Sequence, residues 1–153
     1  MAASSTTPLG IIKDFKFSTE IEVRISDINY GGHLGNDRYL SLFQDARLRY
    51  LNQFGYSEMS IGDGVGLIMR EARVEFKAEA FWGDRLKIYL RIASLEAAAF
   101  RFDYLIVRSD DESRVIATGE TEMLGFDYAR RKVKRLPLKF IEAIQNYEGS
   151  ALG

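Results

Sequence analysis

The chain contains no cysteine and a single histidine among its 153 residues. Without cysteine there is no disulfide framework, no thiolate nucleophile and no zinc–thiolate site. One histidine cannot build a two-histidine metal motif or a facial triad, so no metal or redox cofactor is expected. No apolar run approaches the roughly 18 residues of a membrane-spanning helix. The stretch Met1 to Pro8 is small and polar, lacking the basic and apolar regions of a signal peptide. A soluble cytoplasmic protein, with no membrane association, is the expectation. Charge of one sign is also missing: 21 basic against 22 acidic residues leave a net charge of −1. A dedicated nucleic-acid binder is normally more basic, so no nucleic-acid partner is expected.

What is present is ordinary for one globular domain: 46% hydrophobic and 28% charged residues. A chain of this length buries about two-thirds of its unfolded surface. Phe17, Thr19, Ile21, Val23 and Ile25 alternate with polar residues as in a half-buried strand. A glycine-rich turn follows, and Asn36 is placed as a helix N-cap with Asp37 in the first turn. From Tyr39 the period changes to that of a helix, with Leu40, Leu42, Phe43, Ala46, Tyr50, Leu51 and Phe54 on a wide face and Gly55 as the stop. Four long alternating segments come next, beginning near Ile68, Leu86, Ala98 and Val115. Trp82-Gly83-Asp84 reads as a turn, and Ser109 to Ser113 as a polar loop. Pro137 opens a short amphipathic helix carrying Phe140, Ile141 and Ile144. Long strands joined by short turns imply an antiparallel sheet with the helix against one face, an α+β layer.

The segment Arg24-Ile25-Ser26-Asp27-Ile28-Asn29-Tyr30-Gly31-Gly32-His33-Leu34-Gly35-Asn36 runs straight into the helix and holds the lone histidine. Amide N–H groups at a helix start attract a carbonyl oxygen or an anion, so this is a plausible seat for acyl chemistry. Together with Tyr39-Leu40, the Phe43-Gln44-Asp45-Ala46-Arg47 run and Gly83-Asp84, it resembles the hotdog-fold thioesterases of the hydroxybenzoyl-CoA type. The resemblance extends from about Lys16 to Pro137. It implies a hotdog fold, a curved antiparallel sheet wrapped around a long central helix, with active sites at interfaces of a homodimer or homotetramer. On that basis the chain divides into a flexible segment 1–14, a thioesterase-like domain 15–147 and a tail 148–153.

The activity the resemblance implies is hydrolysis of acyl-CoA or acyl-carrier-protein thioesters, with CoA present only as part of the substrate. Its carbonyl-polarising amide falls at or next to Asn36. Two positions depart from the pattern. Relatives usually carry an Asp-x-Asp pair whose second carboxylate is nucleophile or general base, and here that position is Asn29. A helix position that often holds glutamate is Gln44. An amide neither accepts a proton at neutral pH nor serves as a good nucleophile. His33, Asp27, Asp37 and Asp45 are the groups available to activate water instead, and each also has a plain structural reading. His33 and Asp27 can fix the turn, Asp37 can complement the helix dipole, and Asp45 can pair with Arg47. Gln44 and Asp45 are expected to line the substrate site. In the basic run Arg130 to Arg135, Arg130 and Arg131 are expected to meet CoA phosphates, against a solvated tail as the alternative. A non-hydrolytic acyl-thioester or partner-binding protein is the second reading, favoured by the two amides.

Overall fold

The computed structural model describes residues 12–149 and Leu152. Strand β1 (Phe17–Glu22) is followed by a loop and helix α1 (Tyr39–Asn52). Then come β2 (Gly66–Phe76), β3 (Arg85–Leu95), β4 (Ala99–Arg108), β5 (Asp111–Asp127), a two-residue β6 (Lys132–Val133) and helix α2 (Leu138–Glu148). The strands form one sheet in the order β1-β3-β4-β5-β2, with β6 beside β5 and every pairing antiparallel. The sheet curves around α1, the hotdog arrangement expected from the sequence.

Period-two alternation sorts the sheet into two faces. Leu86, Ile88, Leu90 and Ile92 of β3, and Phe100, Phe102, Tyr104 and Ile106 of β4, point into the core against the helix. The intervening residues face outward, where Arg70 pairs with Glu122, Arg73 with Glu120 and Lys87 with Glu112. An apolar island on this outer face, Tyr89, Leu105 and Val107, is packed by Ile12 and Phe15. Of the expected flexible segment 1–14, residues 1–11 lie outside the described residues.

Helix α1 buries Tyr39, Phe43, Ala46, Arg47, Tyr50 and Leu51. Phe43 stacks on Tyr104 at 3.9 Å between ring centroids. That approach depends on Gly119 of β5, where a Cβ would stand 2.6 Å from the Phe43 ring. The smallest residue here lets the sheet close over the helix. Helix α2 seals the far end with Phe140 and Ile144, and it runs to the buried Glu148, the first residue of the expected tail. Among the described residues, no helix is long and apolar enough to cross a membrane.

Three local expectations need correction. The first strand does not continue to Ser26: it ends at Glu22, and Ile25–Asp27 form a 3-10 turn. The apparent alternation misleads because Ile25 is 70% exposed. Asn36 is not the helix cap. Gly35 holds that place in extended conformation, Asn36–Arg38 form a 3-10 turn, and the α-helix begins at Tyr39. Asp45 and Arg47 are not an ion pair. Asp45 binds Arg49 one turn on, and Arg47 turns inward to Glu58.

Candidate active site

The loop before α1 is a small hairpin. Ile28 and Leu34 bridge, the Asn29 N–H donates to the His33 carbonyl at 3.0 Å, and the Gly32 N–H donates to the Asn29 carbonyl at 3.1 Å. Gly32 has φ +82°, the left-handed conformation required of the residue that closes a three-residue hairpin turn. Asn29 suits the first position because its Oδ1 accepts from the Gly31 N–H at 2.9 Å and, more weakly, from the His33 N–H at 3.5 Å. The amide that replaces the usual carboxylate therefore holds the turn carrying His33.

This hairpin is stitched to the loop beyond β2, since the Leu34 N–H donates to the Ala80 carbonyl at 2.8 Å. Residues 33–34 consequently run beside 79–80. His33 Nδ1 lies 3.2 Å from the Leu34 carbonyl oxygen. A carbonyl only accepts, so Nδ1 carries the proton and Nε2 is the free basic atom. Nε2 faces the Glu79 carboxylate at 3.6 Å, with the histidine side chain 27% exposed and the glutamate 63% exposed. Such a pair orients the imidazole.

The helix start completes the groove. Gly35 N–H donates to the Asp27 carbonyl and Arg38 N–H to the Gly35 carbonyl. The amides of Asn36 and Asp37 have no acceptor among the described residues. They form the free donor end of α1 and its preceding turn. His33, Leu34, Asn36 and Tyr39 on one side, and Phe76, Lys77, Ala78 and Glu79 on the other, line a groove of about 270 Å³.

The other expected site residues are distributed differently. Asp27 is buried and its Oδ2 accepts from the Arg24 N–H at 2.9 Å, which fixes the 3-10 turn. Since β1 ends before it, Asp27 and Asn29 do not share a strand face. Asp27 and Asp45 line a separate cavity of about 770 Å³ between β1, the outer side of α1 and Trp82. Asp37 places a carboxylate oxygen over Gly35, where a Cβ would come within 2.6 Å of it. Gln44 donates to Glu58 at 3.2 Å, beside the buried chain in which Arg47 donates to Glu58 and Tyr104, and Tyr104 bonds Thr121.

Arg130 and Arg131 sit on the exposed β5–β6 hairpin, capped by Asp127, whose carboxylate accepts from the Ala129 and Arg130 N–H groups. These bonds hold the Asp127 carboxyl below its usual range. Phe126, next to that hairpin, pairs with Gly66 at the start of β2, whereas the groove lies at Phe76, the end of β2. Ten strand residues separate the two, about 33 Å. Within one chain the basic hairpin and Asn36 do not meet.

Glu79 is the site residue that sequence reasoning missed. Nothing local marks it: it follows the last alternating residues of β2 in a run of ordinary composition. The only available signal was the Gly83-Asp84 turn, which returns the chain beside the hairpin.

The sequence profile of the thioesterase-like superfamily matches residues 23–144. The acyl-CoA thioester hydrolase YbgC of Escherichia coli O6:H1 is 24% identical over 126 residues, covering 82% of this chain and 92% of that protein. The 1,4-dihydroxy-2-naphthoyl-CoA hydrolase of Synechocystis is 28% identical over 131 residues, 84% of this chain and 94% of its own length. The crystal structure of Slr0204, a 1,4-dihydroxy-2-naphthoyl-CoA thioesterase from Synechocystis, superposes with a TM-score of 0.75 at 27% identity, over 84% of this chain and 94% of the other. The Staphylococcus aureus protein SAV2348, solved in complex with CoA, has the same fold, with a TM-score of 0.78 at 20% identity over 86% and 83% of the two chains. With the hairpin, the helix start and the curved sheet in place, the chain belongs to the thioesterase-like superfamily.

Proposed function

We propose that this protein hydrolyses acyl-CoA thioesters in the groove between the start of α1 and the end of β2. The observation that carries the reading is the convergence there of the His33–Glu79 pair and Asn36, whose amide, like that of Asp37 beside it, is unengaged among the described residues. The thioester carbonyl oxygen accepts from those amides, and such donors contribute about 2.7–4 kcal/mol each as charge develops on the oxygen. His33 Nε2 takes a proton from water, and the Glu79 carboxylate stabilises the imidazolium. The resulting hydroxide attacks the carbonyl carbon. Collapse of the tetrahedral intermediate breaks the C–S bond, and the thiolate takes the proton held on His33. Asn29 is a positioning residue that holds the histidine through the turn.

The reading includes a homo-oligomer in the cytoplasm. Strand β2 is an 11-residue sheet edge with Met69 and Phe76 exposed, an open template for a second β2. Antiparallel pairing of two such edges carries the Arg130–Arg131 hairpin of the second copy towards the groove, where CoA phosphates would lie. A thioester on a carrier-protein arm enters by the same route. The second reading, an acyl-thioester binder without hydrolysis, draws on the amides at Asn29 and Gln44.

Thiol release from short, long and aromatic acyl-CoAs separates the two. Turnover of any of them supports the hydrolase. Folded protein that binds these esters without releasing thiol is the binder.

A further inference from the structure

Six of the 21 basic residues fall within residues 128–141, a stretch with no acidic residue, so a chain of net charge −1 is −7 outside it. Among the described residues, nine of the other eleven arginines lie against a carboxylate, whereas none of these six cations forms an ion pair. The carboxylate of Asp127 beside them is engaged by the Ala129 and Arg130 N–H groups, and Lys134 Nζ donates to the Asp63 carbonyl at 3.0 Å.

Two of the six stand where local structure disfavours them. Arg131 has φ +59°, a left-handed conformation that glycine adopts with less strain. Lys139 lies in the first turn of α2, at the positive end of the helix dipole, in a turn with no acidic residue. Positive charge kept against two local preferences points to a use for that charge.

The cations share their end of the molecule with exposed aliphatic side chains. A Cβ on Gly66 would stand 2.9 Å from both the Met59 carbonyl oxygen and the Tyr128 ring, and one on Gly62 would stand 3.8 Å from Pro137, the cap of α2. The loop 57–64, the β5–β6 hairpin and the start of α2 therefore meet at the end of the sheet away from the groove. Met59, Val133 and Leu138 are exposed on these three segments, Leu138 by 75%.

We infer that this end of the protein is a docking surface for an anionic lipid bilayer. The cations meet headgroup phosphates and the aliphatic side chains enter the interface, two contributions that add in peripheral membrane binding. A nucleic acid would satisfy the cations but leave the aliphatic side chains against a polar backbone. Carboxylates beyond the Debye length of about 8 Å are screened, so the acidic remainder of the chain does not cancel the attraction. The inference stands apart from the hydrolase reading, since Lys132, Lys134, Arg135 and Lys139 are not the arginines assigned to CoA. It revises the expectation of no membrane association, which rested on the lack of a spanning segment.

The test is co-sedimentation of the full chain with vesicles of pure phosphatidylcholine and of equal parts phosphatidylcholine and phosphatidylglycerol. Wild type should bind the mixed vesicles at least about tenfold more tightly, a preference that fades as salt rises. Arg135→Gln with Lys139→Gln should weaken that binding about fivefold for each cation removed. Leu138→Ser should weaken it at low and high salt alike, a loss that contact with phosphates alone would not show. All three positions are exposed, so the melting temperatures of these variants should match wild type. Failure to bind the mixed vesicles, or equal affinity for the two kinds, overturns the inference. So does undiminished binding by the Arg135→Gln, Lys139→Gln variant. A labelled RNA duplex bound more tightly than the mixed vesicles, with Leu138→Ser without effect on either, overturns it in favour of a nucleic-acid surface.

Discussion

The Nε2 atom of His33 faces the Glu79 carboxylate at 3.6 Å although the two residues belong to different loops. The bond from the Leu34 N–H to the Ala80 carbonyl sets these loops side by side, and the Leu34 carbonyl fixes the ring so that Nε2 points across the gap. A carboxylate from the loop beyond β2 thus stands beside the histidine, while position 29 carries an amide.

This division of labour makes Asn29 informative. A carboxylate at the same place retains an oxygen for the Gly31 and His33 N–H groups. Asn29→Asp should keep the fold and stay within about threefold of wild-type kcat, because Glu79 already provides the charge. Asn29→Ala removes the acceptor, and loss of one such bond costs about 1 kcal/mol. It should lower kcat more than Asn29→Asp does. A large gain of hydrolysis in Asn29→Asp, measured as thiol release, would mean that Glu79 does not serve.

The close approach of sheet and helix is testable through Gly119. A methyl group there lands 2.6 Å from Phe43 and 2.8 Å from the Arg73 carbonyl oxygen. Overpacking of this kind costs about 1–3 kcal/mol. Gly119→Ala should show that loss in urea unfolding, and adding Phe43→Leu should recover part of it. Strict additivity of the two changes would show that the contact is not the cause.

Glu148 gives the protein a pH signature. Its Oε2 accepts from the Tyr50 hydroxyl and from the Ile92 N–H at 3.1 Å, while Oε1 has no partner. Burial raises its carboxyl above the usual range, opposed by those two hydrogen bonds and by Arg91 and Lys16 nearby. A carboxyl with a raised folded value binds more protons in the folded chain than in the unfolded one. The Glu148 contribution to stability is therefore fullest below the unfolded value of about 4.3, falls as pH rises through the folded value, and stays lower above it. Chemical unfolding measured from acid to neutral pH should show the stability of wild type relative to Glu148→Gln declining as pH rises. Identical slopes would count against it.

Charge reversal on the hairpin tests whether it meets CoA phosphates. Arg130→Glu with Arg131→Glu should raise KM for an acyl-CoA about tenfold at low salt, with kcat unchanged, and the effect should shrink as salt screens it. The matching acyl-pantetheine, which has no phosphates, should show no change. Because the hairpin stands about 33 Å from the groove in its own chain, a positive result also requires a second copy. An unchanged KM would leave the hairpin as a solvated surface.

Much of the fold was legible because it is written in periodicity. The alternation in β3 and β4 survives intact, since Leu86, Ile88, Phe100 and Phe102 all face the helix. Gly55 ends the helix as expected, at φ +81°, and Pro137 caps α2. Periodicity failed where hydrogen bonds override side-chain pattern. The chain leaves β1 at Val23 because its backbone turns to bond Gly83 and Asp84. Gly35 caps the helix turn in place of Asn36 because its carbonyl accepts the Arg38 N–H, without any side-chain cap.

The site was legible only in part, for a related reason. His33 and Asn36 are close in sequence and share a groove. Asp27 and Asp45 look equally close on paper, yet they lie across the loop on another cavity. Arg47 found Glu58 and His33 found Glu79, both partners brought in by topology. A single sequence carries no mark of such pairings until the strands are set in register.

The central claim is that His33 and Glu79 together activate water, and the most direct measurement is the kcat of Glu79→Gln on an acyl-CoA that wild type hydrolyses. Glutamine keeps the shape and removes the charge at an exposed position, so the fold should be unaffected. General-base assistance is worth about 10²–10⁴-fold. The account predicts a fall of at least a hundredfold in kcat, a similar fall in His33→Ala, and no further loss when the two are combined. A Glu79→Gln enzyme with wild-type kcat would contradict it.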